Sequence, residues 1–194
     1  MNGYDKGAVR IEDPPIARAL FDDVRWSWIW LIVRLYVGWQ WFSEGLEKAQ
    51  NSAWVGAHAG SFLTMWVEKA LTKTTGAHPD VQWWYAAFLK NAVLPHAAFW
   101  SYAVTFGEIT VGLGLILGLF TGIAAFFGTV MNGSYLLAGA VSVNPILFAL
   151  ASLLVLAWKT AGWWGLDRFV LYRLGTPWQT KAAPEHNVIM SGAP

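Results

Sequence analysis

Residues 99–140 form one nearly unbroken apolar run, and as a single helix it would be about 60 Å long at 1.5 Å per residue, twice the hydrocarbon thickness of a bilayer. The run has to fold back on itself. Thr121 and Gly122 are the expected hairpin, because glycine relieves a helix C-terminus. Two further apolar stretches, 26–45 and 145–164, are each as long as the roughly 20 residues that cross a bilayer. The composition agrees: 13% of the 194 residues are charged and 56% hydrophobic, against roughly 25% charged in a soluble domain. The expected fold is all-α, a four-transmembrane-helix bundle with spans 26–45, 99–120, 122–140 and 145–164.

The remainder of the chain divides around that bundle. Residues 1–25 are polar and mixed in charge and lack the apolar core and small-residue cleavage site of a secretory signal, so the first span reads as an uncleaved anchor. Residues 169–194 form a polar C-terminal tail. In the loop 47–98, Val81, Trp84, Tyr85, Phe88, Leu89, Ala92 and Val93 follow helical amphipathic spacing, and Phe62, Trp66, Val67, Ala70 and Leu71 repeat a shorter version. These are two short amphipathic helices over the outer mouth of the bundle. Asn144 and Pro145 start the fourth helix, asparagine as N-cap and proline in the first turn. Arg10, Arg18 and Arg25 before the first span, with Lys159, Arg168, Arg173 and Lys181 around and after the last, place both termini in the cytoplasm.

Several chemistries are excluded. There is no cysteine, hence no disulfide, thiolate catalysis or cysteine-ligated cluster on this chain. His58, His78, His96 and His186 all lie outside the apolar spans, which leaves no ligands for a haem between helices, and their spacing is no metal motif. Net charge is +1 without a basic cluster, so no nucleic-acid partner is expected.

What remains is a polar layer inside the bundle. Counted in from the span ends, Arg34, Glu108 and Asn132 reach one level, with Ser152 of the fourth helix close by. Ionisable groups at that depth face a partner or a cavity. Arg34, Gly38, Trp41, Gly45 and Lys48 share a narrow stripe of the first helix, and Gly107, Val111, Gly114, Gly118 and Gly122 make a small-residue stripe suited to close helix approach. Two readings follow from the residues. An Arg34–Glu108 pair neutralises two buried charges and fixes register, or it lines a cavity in which Arg34 binds an anion or a quinone carbonyl and Glu108 accepts or relays a proton. His96, after Pro95 at the start of the second helix, is a candidate for holding an anion arriving from outside, with Lys48 near the same boundary.

The run from Arg34 through Gly38, Trp39, Glu44, Gly45 and Glu47 to Lys48, the run from Gly107 and Glu108 through Gly112 and Gly118 to Thr121 and Gly122, and Gly162-Trp-Trp-Gly-Leu166-Asp167-Arg168 together resemble the DoxX family, which includes the DoxD proteins, over roughly residues 26–168. The resemblance implies a small four-helix membrane protein of a prokaryotic cell membrane. It implies, as one activity, the membrane subunit of a thiosulfate:quinone oxidoreductase, which works with a second small subunit, DoxA. Arg34 and Glu108 match the family's intramembrane arginine and acid and are the expected catalytic pair. Trp39, Trp41 and Trp100 would supply flat walls for a quinone and Asn132 part of the polar floor, while His96 and Lys48 would meet the substrate. Quinone is the expected cofactor; haem, iron–sulfur cluster, flavin and metal are not. The alternative is a non-catalytic accessory subunit of a larger membrane redox or photosynthetic complex, docked through surplus aromatic surface from the chain's 14 tryptophans.

Overall fold

The computed structural model describes residues 13–175, and among them all regular structure is helical. Arg10, Lys181, His186 and the outer parts of both polar tails, residues 1–12 and 176–194, lie outside that range. A short α1 (Pro15–Asp22) precedes α2 (Ser27–Ala49); α3 (Ser61–Leu71) and α4 (Trp83–Phe88) follow; then α5 (Ala97–Leu117), α6 (Thr121–Leu137), α7 (Asn144–Leu156), α8 (Trp158–Ala161) and α9 (Asp167–Arg173). The two amphipathic helices expected between the first and second apolar stretches are present as α3 and α4.

α4 does not stop short of α5. A π turn at Leu89–Val93 and a 3-10 turn at Leu94–His96 join them, so one helical rod of 35 residues runs from Trp83 to Leu117, long and apolar enough to cross a membrane. The irregular turns sit where Pro95 removes a backbone donor from the ladder. By the same length and composition criterion α7 is a shorter apolar helix. Its 13 residues end at Leu156, so the stretch expected as one fourth span is divided between α7 and α8.

Glycine sets the main packing. α2 packs chiefly on α5, and α6 on α7. A Cβ on Gly38 would meet Ile116 at 3.0 Å, one on Gly45 would meet Ile109 at 2.8 Å, and one on Gly112 would lie 2.5 Å from the Phe42 backbone nitrogen. The order of these contacts makes α2 and α5 antiparallel and fixes their register. The stripe of Gly107 and Gly114 faces α6 instead, against Met131 and Ala124. Gly112→Ala is expected to push the two backbones apart and lower stability by about 1–3 kcal/mol, read as a fall in the unfolding midpoint in detergent micelles.

Two turn assignments change. The glycine that ends α5 is Gly118, at φ +63, rather than Gly122; Phe120 is also left-handed, and α6 starts at Thr121. Gly122 lies one residue inside α6, where it admits Trp158. At α7 the N-cap position belongs to Val143, and Asn144 turns back to donate Nδ2–H to the Ala140 carbonyl at 2.9 Å. Pro145 occupies the first turn, as its fixed φ favours.

The outer segments are tied to the bundle by hydrogen bonds. Ser101 Oγ donates to the Trp54 carbonyl at 2.6 Å, Tyr85 Oη to the Ser134 carbonyl at 2.8 Å, and Lys73 Nζ to the Gly139 carbonyl at 2.7 Å. Trp54, Leu63, Val67, Val81, Tyr85 and Leu89 form a second buried cluster beside the one centred on Trp30, Trp41 and Leu154. The outer helices are therefore a packed layer over one end of the bundle.

Candidate functional site

The polar residues of the interior fall into two groups, not one layer. Arg34 and Glu108 are both 1% exposed, yet they do not meet. Arg34 lies against Gly118, which would carry a clashing atom if it had a Cβ. Glu108 is ten residues earlier on the same rod, about 15 Å away at the helical rise. Counting from hydrophobic boundaries placed them level; the glycine contacts between α2 and α5 set the register and separate them.

The first group is a lock at the α5–α6 turn. Arg34 Nη2 donates to the Trp164 carbonyl at 3.2 Å, and its Nη1 faces Gly118 and Gly165, while Nε and Nη1 have no hydrogen-bond partner. Asp167, fully buried, supplies the nearby opposite charge. Its carboxylate accepts the Phe120 N–H at 2.5 Å and the Thr121 N–H at 2.9 Å, taking up donors that the start of α6 would otherwise leave unpaired. The Leu166 and Asp167 N–H groups donate to the carbonyls of Leu117 and Gly118 at 3.1 and 2.7 Å. Asp167 caps the start of α6, and neither Arg34 nor Asp167 lines the cavity around Glu108 and Asn132. In the sequence, Asp167 belongs to the motif Gly162-Trp-Trp-Gly-Leu166-Asp167-Arg168, but the motif gives it no role as a cap.

The second group surrounds a cavity of about 310 Å³ between α2, α3, α5, α6 and the start of α7, within the size range of small-molecule sites. Its floor holds Trp41, Lys48, Glu108, Asn132 and Tyr135; Phe62, Leu63 and Trp66 of α3 and Trp54 before it cover it, and the turn from Ala140 to Asn144 closes one side. Tyr135 Oη donates to Glu108 Oε1 at 2.7 Å. Lys48 Nζ lies 2.9 Å from Glu108 Oε2 and 3.3 Å from Glu44 Oε2, and 5.4 Å over the Trp54 ring. Trp41 stacks obliquely on Tyr135 at 6.3 Å, and Trp66 meets the same ring edge-on at 6.2 Å.

Buried polar atoms without a partner occur in the lock, at Arg34 Nε and Nη1 and Thr121 Oγ1, and on this floor, where they adjoin open volume. Asn132 is 0% exposed, and neither its Oδ1 nor its Nδ2 has a hydrogen-bond partner; the Trp41 indole N–H lacks one as well. Buried polar groups are nearly always paired, so an unpaired carboxamide and indole beside a cavity point to a ligand with complementary groups.

Of the expected site residues, Trp41, Lys48, Glu108 and Asn132 converge here. Arg34 belongs to the lock. Trp39 is 61% exposed on the outside of α2, because it is one residue round from the buried Gly38. Trp100 donates its indole N–H to the Ala92 carbonyl at 3.0 Å and meets Phe88 edge-on, away from the cavity. His96 is exposed, in the 3-10 turn before α5. Ser152 back-bonds to the Phe148 carbonyl. Tyr135 was missed, although Gly128, Asn132 and Tyr135 share one face of a helix at four- and three-residue spacing.

Compared with known proteins, residues 29–140 match the DoxX family model. No curated protein and no solved structure matches the chain.

Proposed function

This chain belongs to the DoxX family of membrane proteins, and on that premise we propose that it is a four-crossing integral membrane subunit whose cavity takes the head group of a quinone. The observation that carries the reading is the unpaired Asn132 carboxamide and Trp41 N–H on the cavity floor. A quinone offers ring carbonyls as acceptors for such donors and a flat face for Trp41 and Trp66; its reduced form offers a hydroxyl to Asn132 Oδ1.

The charge balance favours a neutral ligand. Lys48 is the one cation lining the cavity and two carboxylates flank it, while Arg34 stands in the Asp167 lock. A thiosulfate or other small sulfur anion would meet no uncompensated positive charge. Oxidation of such an anion therefore falls to a partner, a DoxA-like subunit or a larger redox complex, with the electrons received by quinone on this chain. Fit of an even number of crossings comes from α1 packing on α8, with Lys159 Nζ 2.7 Å from Asp22: the chain before α2 and after α7 lies at one end of the bundle, where Arg18, Arg25, Arg168 and Arg173 would make the cytoplasmic face.

Ubiquinone-1 titrated into the purified full chain is expected to quench tryptophan fluorescence saturably, and millimolar thiosulfate to leave that curve in place. Displacement by thiosulfate would assign the cavity to the anion instead. A second reading keeps the fold and drops the redox role. Trp83, 80% exposed, with Trp84 and Phe99 on the same rod, fits the surface of an accessory subunit seated on a larger membrane complex. Constant co-purification with such a complex, together with absence of quinone quenching, would favour it.

A further inference from the structure

Glu108 is shut off from solvent, yet it sits at one end of a row of titratable groups that reaches the surface. Tyr135 Oη is 2.7 Å from one carboxylate oxygen, Lys48 Nζ is 2.9 Å from the other, and the same ammonium is 3.3 Å from Glu44 Oε2. The side chains of Glu108, Lys48 and Glu44 are 2%, 16% and 61% exposed in turn. Each step is within proton-transfer reach, and exposure rises along the row. We propose that Glu44, Lys48 and Glu108 form a proton conduit between water at the end of α2 and the cavity floor, with Tyr135 passing the proton between Glu108 and the cavity.

The transfer balances as an exchange of N–H and O–H bonds alone. Lys48 gives an ammonium proton to the Glu108 carboxylate, and Glu44, protonated from water, restores the ammonium; one proton moves inward and one carboxylate becomes a carboxylic acid. Among the described residues no other ionisable group lines the cavity: the lining residues of α3 are Phe62, Leu63 and Trp66, and those of α7 are Asn144 and Leu147. Tyr85 of α4, whose hydroxyl is held by the Ser134 carbonyl, is the remaining titratable group beside Tyr135. The identity of what receives the proton rests on the quinone reading, since reduction of a quinone consumes protons; the conduit itself does not.

The test is a rapid pH drop applied to the purified full chain with no quinone present, following protonation of Glu108 by its infrared carboxylate band, assigned by difference from E108Q. Lys48→Arg is the informative variant, because arginine keeps the charge beside Glu108 but does not release a proton. The rate is expected to fall by about 100-fold in K48R and about tenfold in E44Q, in line with the usual worth of a positioned proton carrier. Wild-type rates in E44Q and in a folded K48R would overturn the conduit, and if K48R fails to fold, E44Q alone decides. Failure of ubiquinone-1 to bind would remove the quinone reading, while the pH-drop rates still judge the conduit.

Discussion

Asp167→Ala is expected to lower the unfolding free energy in micelles by about 3–5 kcal/mol, the range for leaving one buried charge without its partner. The substitution removes the charge that balances Arg34, and it frees the Phe120 and Thr121 N–H groups that the carboxylate accepts. Phe120 adopts a left-handed conformation that a bulky side chain disfavours, so the turn depends on that acceptor. Asp167→Asn retains the shape but turns one acceptor into a donor facing an N–H, and is expected to fall between wild type and alanine. Arg34→Met should destabilise comparably. A double-mutant cycle over Arg34 and Asp167 would show strong coupling, whereas one over Arg34 and Glu108 would be near additive across about 15 Å. Folded Arg34→Met is expected to keep ubiquinone-1 affinity within about threefold, since additivity holds for sites that share no partners.

Asn132→Leu is expected to move stability and binding in opposite directions. In the protein without ligand, the carboxamide is buried with both polar atoms unpaired, a condition that costs about 1–3 kcal/mol. A leucine of similar size removes that cost, so the variant should unfold later than wild type by about 1–2 kcal/mol. The same change should weaken ubiquinone-1 binding at least about tenfold, or 1.4 kcal/mol. A structural residue would lose stability on replacement and leave binding alone; a recognition residue kept at the expense of stability does the reverse. Thermal unfolding and fluorescence titration on one preparation separate the two.

The all-helical class and the α3 and α4 positions were legible in the sequence because they rest on period and length. So was the inward stripe of α2: Arg34, Gly38, Trp41 and Gly45 are all buried. The partner of each charge was not legible. Arg34 and Glu108 are the two ionisable groups deepest in the apolar segments, and neutrality suggested pairing them. Register between antiparallel helices, however, is set by where backbones approach at Gly38, Gly45 and Gly112, and it displaces Glu108 from Arg34 by about three turns. Asp167 lies beyond the apolar span, and its charge comes near Arg34 only because the chain after α8 folds back onto the α5–α6 turn through the Leu166 and Asp167 backbone bonds. Periodicity holds no information about that return. The aromatic walls divided for a related reason: Trp39 and Trp41 are two residues apart on a helix, about 200° round the axis, so one faces in and the other out.

On the quinone reading, ligand binding belongs to the Trp41–Asn132 cavity, and the Arg34–Asp167 lock only holds the fold. Photo-crosslinking of an azido-quinone to the full chain in native lipid, followed by peptide mapping, tests it most directly. Saturable label on residues around Trp41, Trp66 or Asn132, competed by ubiquinone-1 and lost in Asn132→Leu, is the expected result. Saturable label confined to the Gly118 turn beside Arg34, unaffected by Asn132→Leu, would contradict it.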